Sequence, residues 1–424
     1  MDAVERVVAQ IQGLSGTTSD LHQLHVFLKH SDDSLRGNSS RLPPFFSQLD
    51  PSFHSLGYLY LLDAYLFSRV PKDDVSEVSK LVARFINVCR PEQIRLASEK
   101  FIHVCKKLKD LVMGLDAPIR GVAPMLTAIR KVRASSEHLT TLHPDFLLLC
   151  ISAKCYKTGL SLLEEDVLEV DHPKDLFLYC YYGGMIYIGL KKYGKALELL
   201  HNVVTSPMST LSSIAVEAYK KYILVSLIHN GQHNTHFPKY TSSVAQRSLK
   251  NFTQAYLELA TSYSNGDIAE LQNHVEVNKL KFESDNNLGL VKQVVSSIYK
   301  RNIQRLTQTY ITLSLEDIAN TVQLNSPTEA EMNVLQMIED GQIYATINQK
   351  DGMVRFHEDP EQYKTCEMIE TIDKSIQRIM GLSRKLTAVD EKISCDPLYL
   401  AKVGKERQRF DFDDFDGVPQ RFNI

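Results

Sequence analysis

Between Ser314 and Phe356 the sequence predicts two short helices followed by two short strands. In the run Ser314–Asp317 the serine hydroxyl can cap the free amides of the first helical turn, and the aspartate can reach back to it. The run Ser326–Glu329 repeats this pattern for a second helix, with proline at the first helical position. Asp340–Gly341 ends the second helix, because glycine adopts the left-handed conformation without strain.

Two strands with alternating apolar residues follow the second helix. A polar turn over residues 348–352, which ends in glycine, separates them and predicts a hairpin. The alternating apolar residues are Ile343, Ala345, Ile347, Val354 and Phe356. Two helices followed by a hairpin are typical of a winged helix, a module that contacts DNA or protein. We therefore predict that these five residues belong to a protein-interaction surface.

The charge of the second helix argues against DNA as the partner. A helix that enters the major groove meets phosphates and needs positive charge. Residues 326–340 contain no Lys or Arg, and the hairpin region adds three acids to two cations. The acids of the helix are Glu329, Glu331, Glu339 and Asp340, and the charged residues of the hairpin region are Lys350, Asp351, Arg355, Glu358 and Asp359. The module is therefore predicted to be a scaffold domain without direct DNA binding.

The chain before residue 310 shows helical periodicity almost throughout. Apolar residues recur at helical spacing in residues 53–70, 78–89 and 94–115, which predicts antiparallel helix pairs. Residues 176–200 carry small residues where two helices would approach closely, as in a tetratricopeptide hairpin. These small residues are Gly183, Gly184, Gly189 and Ala196. Weaker copies of the pattern occur at residues 218–231 and 256–271, so the sequence predicts a stacked helical array.

A third feature follows the hairpin, namely an apolar seam on a long terminal helix. The seam residues, spaced by three and four, are Ile369, Ile372, Ile376, Ile379, Leu386 and Ile393. Ser383 and Asp390 occupy the two remaining heptad positions, where polar residues can fix the register. A helix of about 26 residues spans roughly 39 Å, which favours an intermolecular helical bundle over packing on its own domain. The seam residues are therefore predicted to contact proteins.

The fold class that these patterns predict is mostly α, with a tetratricopeptide-like helical array followed by a winged helix and a long C-terminal helix. The last segment contains alternating Phe and Asp over Phe410–Asp416, which predicts either a short binding motif or a solubilised end. The predicted segments are N-terminal helical repeats (1–170), a tetratricopeptide-like part (171–285), a winged-helix part (286–360), a C-terminal bundle helix (361–395) and a disordered tail (396–424).

Charge and the chain start exclude several function classes. The net charge of −3 over 424 residues argues against a nucleic-acid coat or a polybasic membrane anchor. The N-terminus resembles no secretory signal, and no transmembrane stretch is visible, so an intracellular protein is predicted. One basic face, formed by Lys292, Lys300, Arg301 and Arg305, could hold an acidic partner or nucleic acid. An ordinary solvated face is the favoured interpretation.

Catalytic and metal-binding motifs are missing from the sequence. It contains no phosphate-binding loop, no nucleophile elbow and no zinc-protease helix. His233 and His236 have metal-like spacing but no neighbouring carboxylate or cysteine in the sequence, which makes a metal site improbable. Seven scattered cysteines without a Cys-x-x-Cys pair are predicted to be small buried apolar residues. We therefore expect no enzyme activity, no cofactor and no metal.

The order of elements resembles the PCI domain, which occurs in subunits of the proteasome lid, the signalosome and a translation initiation factor. Specific motifs resemble the third-subunit family of the COP-nine signalosome over nearly the whole chain, and the tail resembles its plant members. The motifs are YYGGMIY (181–187), EAYKKYILVSL (217–227), DNNLGLVKQ (285–293), INQKDGMV (347–354), PLYL (397–400) and ERQR (406–409).

This resemblance implies a non-catalytic scaffold in the complex that removes the ubiquitin-like modifier NEDD8 from cullin-RING ubiquitin ligases. The isopeptidase would be a separate metalloprotease subunit. Winged helices would assemble side by side, terminal helices would share one bundle, and the neighbours would be the first and eighth subunits. The resemblance also implies cytoplasmic and nuclear localisation and repression of light-driven development. The alternatives are a PCI-domain adaptor in a nucleic-acid-associated or proteasome-lid complex, and a hydrolase.

Overall fold

The computed structural model of the chain describes residues 3–14, 18–68, 71, 73–358 and 366–402. This part is mostly helical, which confirms the predicted fold class. The helices of the first half are α1 (Ala3–Gly13), α2 (Thr18–Gly37), α3 (Ser55–Phe67), α4 (Val75–Val88), α5 (Pro91–Arg95), α6 (Ser98–Gly114), α7 (Ile119–Val132), α8 (Leu142–Ser152) and α9 (Tyr156–Leu163). Short 3-10 helices cover Ser39–Arg41 and Pro43–Ser47. None of the helices in the described ranges is long and apolar enough to cross a bilayer.

The helical array continues with eight further helices. They are α10 (Pro173–Gly189), α11 (Tyr193–Thr205), α12 (Ser213–Asn230), α13 (Ser243–Phe252), α14 (Gln254–Asn265), α15 (Ile268–Val277), α16 (Lys279–Ser284) and α17 (Leu288–Thr309). The predicted hairpin of residues 176–200 corresponds to α10 and α11, which pack against each other. The weaker pattern at residues 218–231 lies within the single helix α12, and the one at residues 256–271 covers α14 and the start of α15.

Two glycines explain the close approach of α10 to its neighbours. A Cβ atom added at Gly183 would lie 2.7 Å from a methyl of Leu163 and 2.8 Å from a methyl of Leu199. At Gly184 the corresponding distance to Leu200 is 3.0 Å. A side chain at either position would force the neighbouring leucine side chains to move, so glycine lets these helices pack closely without rearrangement. The small residues that predicted the tetratricopeptide-like hairpin therefore have the packing role inferred for them.

A two-stranded parallel pairing interrupts the array and was not predicted. Strand β1 (His138–Leu139) pairs with strand β2 (Glu169–Val170). The prediction of an all-helical region before residue 310 is therefore wrong at this place. Strands of two residues are too short to produce the alternation of apolar and polar residues that identifies a strand in a sequence.

Two large apolar cores divide the described chain, and a small third cluster of Tyr187, Ala196 and Val225 lies within the helical array. One core runs from Val4 to Ile298, across the predicted boundary at residue 170, and the other from Ile303 to Phe356. Helix α17 contributes to both, since Val291 and Ile298 belong to the first core and Ile303 to the second. The change from one core to the other thus occurs within a helix rather than at a loop, and the predicted segment boundaries stay a prediction.

A carboxylate is buried between three helices of the N-terminal part. The side chain of Asp63 on α3 is only 3% exposed and accepts hydrogen bonds from Lys100 Nζ at 2.7 Å and His103 Nδ1 at 2.5 Å. Asp32 on α2 lies nearer the surface and contacts Lys100 Nζ at 2.8 Å and the Arg36 guanidinium at 3.1 Å. Two carboxylates therefore share the Lys100 ammonium, with the more deeply buried one on α3.

The cysteines are less uniform than the sequence suggested. All seven are free thiols, and Cys89, Cys105, Cys150 and Cys180 are buried as predicted. Cys155 is half-buried, whereas Cys366 and Cys395 are exposed, so the prediction is wrong for these last two. Both lie at the ends of the C-terminal helix, whose surroundings a cysteine count does not reveal.

Acid is expected to destabilise the chain through the buried His143 and the half-buried His233. Burial lowers the pKa of His143 and of His233 to about 4 each, below the ordinary value of 6.5. Between those pH values the unfolded state binds more protons than the folded state, so stability falls as the pH falls below 6.5. Each histidine should cost about 2 kcal/mol at roughly pH 5, relative to roughly pH 7. Urea unfolding at the two pH values measures this loss.

The variant His143→Gln provides the control for this prediction. It lacks the titrating group and should therefore lose about 2 kcal/mol less than the wild type over the same pH interval. Its stability at neutral pH does not matter for the comparison, because only the difference between the two pH values is used. An unchanged acid loss in His143→Gln would contradict the prediction.

Candidate protein-interaction surfaces

The second core belongs to a winged helix with the predicted order of elements. Strand β3 (Thr312–Ser314) precedes α18 (Leu315–Val322) and α19 (Pro327–Glu339), and strands β4 (Tyr344–Asn348) and β5 (Met353–His357) form the hairpin. The sheet is antiparallel with the order β3-β5-β4. The hairpin was predicted, whereas β3 was not. Because β5 lies in the middle of the sheet, β3 and β4 form its two edges.

Both helix starts have the capping geometry that the sequence predicted. Ser314 Oγ accepts a hydrogen bond from the Asp317 amide at 3.0 Å and donates one to the Asp317 carboxylate at 2.6 Å. Ser326 Oγ accepts from the Glu329 amide at 3.2 Å. Gly341 has φ +66°, the left-handed conformation expected after the second helix. Local side-chain chemistry therefore sets the ends of α18 and α19.

The five predicted interaction residues of the wing point into the domain. Ile343, Val354 and Phe356 are buried, while Ala345 and Ile347 are half-buried and pack against the same core. The apolar alternation that suggested a contact surface is thus explained by the core of the winged helix itself. The assignment of these five residues to an interaction surface therefore stays a prediction.

The exposed parts of the wing are its edge and its outer face. Strand β4 pairs only with β5 among the described strands, so one side of its backbone is open to a neighbouring strand. Tyr344 and Met353, on the outward-facing side, are 39% and 37% exposed. A partner would therefore meet the backbone edge of β4 and these outward side chains. The sequence contained this signal, because both residues lie between the inward-facing positions.

The C-terminal helix is present and its apolar seam is exposed. Helix α20 (Cys366–Ser394) has 29 residues, and all six predicted seam residues are exposed, from 43% at Ile393 to 71% at Leu386. The other four are Ile369, Ile372, Ile376 and Ile379. Within the described part of the chain, no helix covers this seam. The alternative of a last helix that packs its apolar face on its own domain therefore does not describe the structure.

Four further apolar residues widen the seam. Met368, Met380, Leu382 and Val389 are exposed on α20 as well. After Ile379 the apolar positions continue, again in steps of three and four residues, through Leu382, Leu386, Val389 and Ile393. Two steps of three residues follow each other at Ile379, which shifts the apolar stripe around the helix. Ser383 and Asp390 therefore lie outside it. The apolar stripe, as we call these ten residues, is longer and more continuous than the sequence analysis supposed.

Two ion pairs connect α20 to the helical array. Arg378 pairs with Asp166 at 2.7 Å, and Lys385 pairs with Glu137. These basic residues lie on a different face of the helix from the centre of the apolar stripe. Exposed ion pairs contribute little to stability. The contact with the array therefore orients α20 weakly and leaves the stripe accessible.

The segment after α20 differs in part from the prediction of a disordered tail. Residues 397–402 are helical, and the amide of Leu400 donates to the Asp396 carbonyl at 3.0 Å. The remaining residues of the predicted tail, including the Phe and Asp alternation of Phe410–Asp416, lie outside the described residues.

Comparison with known proteins identifies the family. The profile described as "COP9 signalosome complex subunit 3, N-terminal helical repeats" matches residues 18–245, and the PCI domain profile matches residues 217–358. A protein named COP9 signalosome complex subunit 3 from Arabidopsis thaliana is 59% identical over all of this chain and 99% of the relative. The chain belongs to the COP9 signalosome subunit 3 family. A protein of the same name from Dictyostelium discoideum is 40% identical over 89% of this chain and 91% of the relative.

In this member of the COP9 signalosome subunit 3 family, His233 and His236 do not form part of a metal-binding cluster. Among the described residues no group of three or more His, Cys, Asp or Glu side chains could hold a metal ion. His233 Nε2 lies 3.3 Å from the Tyr219 hydroxyl, and the His236 amide donates to Asn234 Oδ1 at 2.9 Å. Both residues thus take part in local contacts of the segment after α12.

The four residues of the predicted basic face have different surroundings. Lys300 Nζ pairs with Asp340 at 3.2 Å, and Arg301 contacts the Asn230 carbonyl and Gln304 Oε1. The other two, Lys292 and Arg305, are exposed on α17. The basic residues therefore do not act as one continuous surface, and Lys300 and Arg301 line a cleft.

Proposed function

We propose that this chain is a non-catalytic scaffold subunit of the COP9 signalosome. It would support the removal of NEDD8 from cullin-RING ubiquitin ligases, and so regulate ubiquitin-dependent protein degradation and light-regulated development. The names of two relatives, one of them from a plant, support the assignment to this complex. The observation that carries the scaffold role is the exposed apolar stripe of α20.

The stripe supports a helical bundle because of its length and continuity. Water-exposed apolar area of this extent on a single helix is unfavourable, and burying it against other helices yields roughly 25 cal/mol per Å². Apolar residues in steps of three and four are the pattern that packs into a bundle of helices. We therefore assign the stripe to an intermolecular bundle with the terminal helices of other signalosome subunits, including the metalloprotease subunits.

The winged helix supplies a second proposed contact. The open edge of β4 can extend its sheet with a strand from a neighbouring winged helix, through backbone hydrogen bonds that need no particular side chains. We propose the first and eighth subunits as neighbours at this domain. A standard interface buries about 1,600 Å² in total, and the winged helix and α20 together provide enough surface for it.

In this role, catalysis belongs to another subunit, and the chain is located in the cytoplasm and the nucleus.

The acidic face of α19 supports a protein partner rather than DNA. Glu331 and Glu339 lie on this helix beside the exposed side chains of Met332 and Leu335, and no Lys or Arg accompanies them. A phosphate backbone would be repelled here. The proposal therefore includes no direct DNA contact.

Deleting residues 366–394 tests the scaffold proposal. The full chain should co-purify with the other signalosome subunits from cell extract, whereas the deletion variant should be released from the complex. The helical array should stay folded, because its core runs from Val4 to Ile298 and does not include α20. Quantitative mass spectrometry of the purified complexes and circular dichroism of the purified variant measure these two results.

Three outcomes would contradict the proposal. Retention of the deletion variant at normal stoichiometry would exclude α20 as the assembly element. Co-purification of the full chain with proteasome-lid subunits or nucleic acid, instead of signalosome subunits, would favour the alternative PCI-domain adaptor. Removal of NEDD8 from cullin by the isolated chain would exclude a non-catalytic role.

A further inference from the structure

A cleft lies between the helical array and the winged helix. Its volume is about 820 Å³, and α17 forms one of its walls. Lys191 lines it from the turn before α11, and Tyr193 from the start of that helix. His229 lines it from the end of α12, Gln336 from α19, and Asp340 from the position directly after α19. Clefts of this size accommodate small molecules. A molecule bound here would contact both structural units at once.

The cleft is positively charged although the chain as a whole is negative. Its lining includes the three cations Lys191, Lys300 and Arg301 but only one acid, Asp340, which gives 3 − 1 = +2 with His229 neutral. The entire chain carries a net charge of −3. An electropositive cleft in an acidic protein concentrates anions from solution.

Two of the three cations have no carboxylate partner in the described part of the chain. Lys191 lies in the turn between α10 and α11, where it adopts a left-handed conformation with φ +58° and makes no ion pair with a described residue. Arg301 donates hydrogen bonds to a backbone carbonyl and to the Gln304 amide oxygen and makes no ion pair with a described carboxylate, so its charge is not neutralised there. Lys300 shares its charge with Asp340. The positive charge is therefore available to a ligand.

Two of the four glutamines that line the cleft are placed to donate hydrogen bonds to a ligand. Gln293 Oε1 accepts a hydrogen bond from the Tyr193 hydroxyl at 3.0 Å, and Gln304 Oε1 accepts from Arg301 Nη1 at 3.1 Å. With both carbonyl oxygens used by protein donors, the amide nitrogens are what these side chains can offer a ligand. Cations combined with amide donors match a ligand that is rich in acceptor oxygens.

We propose that this cleft binds a small anion that carries several phosphate groups. Phosphate oxygens accept charge-assisted hydrogen bonds from Lys and Arg, and the three separate cations of the lining can each contact a different phosphate group. The cleft volume of about 820 Å³ favours a compact ligand over an extended acidic peptide. By bridging Lys191 on the array to the residues of α17 and the winged helix, the ligand fixes the two units relative to each other.

Titration of the purified full chain with tripolyphosphate tests this proposal by isothermal calorimetry. Saturable binding at one site is expected. Lys191→Gln and Lys300→Gln should each weaken it about tenfold, since each removes a charge-assisted hydrogen bond. Asp340→Asn should tighten binding several-fold, because it removes the one acid of the lining, and misfolding cannot produce such a gain. The measured quantity is the dissociation constant of each variant.

Two matched controls separate the cleft from general attraction by positive charge. Lys192→Gln changes the residue next to Lys191, and Lys292→Gln changes a lysine on the same helix as Lys300, but neither residue lines the cleft. Both controls should bind tripolyphosphate within about twofold of the wild type, since exposed charges that do not line the cleft are largely screened by salt.

Several results would overturn the proposal. One is the absence of saturable binding at tripolyphosphate concentrations up to about 1 mM, which would mean a negligible affinity. Another is an equal loss of affinity in the cleft variants and in the controls. Competition by hexaglutamate with the same affinity and the same dependence on Lys191 would assign the cleft to acidic peptides instead.

Discussion

The double substitution Ile376→Asp and Ile379→Asp is expected to remove the chain from its complex without unfolding it. Both side chains are exposed, at 48% and 66%, so the free chain should lose little stability. In a helical bundle the two carboxylates would be buried without partners, and two apolar contacts of about 1.5–3 kcal/mol each would be lost. Recovery of partner subunits in a quantitative pull-down should fall about a hundredfold or more.

The control places the same charges on the opposite face of the helix. Gln377 and Ala388 are exposed on α20, away from the apolar stripe. The double substitution Gln377→Asp and Ala388→Asp therefore adds the same two carboxylates to the same helix without changing the stripe. This variant should remain in the complex. Equal release of both variants would show that net charge, not the stripe, controls assembly. A lower melting temperature of the free stripe variant would indicate that the stripe packs on its own domain.

The parts of the fold that depend on local chemistry could be predicted from the sequence. Ser314, Ser326 and Gly341 define the ends of α18 and α19 through hydrogen bonds and a backbone conformation that involve only a few neighbouring residues. Gly183 and Gly184 likewise indicated a close helix contact, since few other reasons place two glycines within a long apolar helix. Such signals do not require knowledge of distant residues.

The sequence could not show whether an apolar face is buried in its own domain or exposed, because this depends on which other elements lie nearby in three dimensions. Val354 and Ile376 both belong to regular apolar patterns. The first is buried in the core of its own domain, whereas the second is 48% exposed. Strand β3 escaped prediction for a related reason, since its three residues form a strand only by pairing with β5. The cleft between Lys191 and Lys300 joins residues that are far apart in the sequence.

The substitution Asp63→Asn is expected to destabilise the chain by about 3 kcal/mol. The asparagine has nearly the same shape, so packing should be preserved and the effect should come from charge. Asparagine keeps only one acceptor oxygen, so either the Lys100 ammonium or the His103 ring loses its hydrogen bond. The Lys100 ammonium and the Arg36 guanidinium, 3.7 Å away, also lose a buried counter-charge. The free energy of unfolding in urea measures the effect, together with hydrogen exchange of α3 and α6, which reports the N-terminal part separately.

Asp32→Asn is the matched control, because Asp32 contacts Lys100 Nζ at nearly the same distance as Asp63, 2.8 Å against 2.7 Å. The two carboxylates differ in burial, with 18% of the Asp32 side chain exposed and 3% of Asp63. In Asp32→Asn, the buried carboxylate keeps Lys100 paired while water reaches the changed site, so a loss of no more than about 1 kcal/mol is expected. If the two substitutions cost the same, the burial of Asp63 would not determine its contribution, and direct contact with Lys100 would.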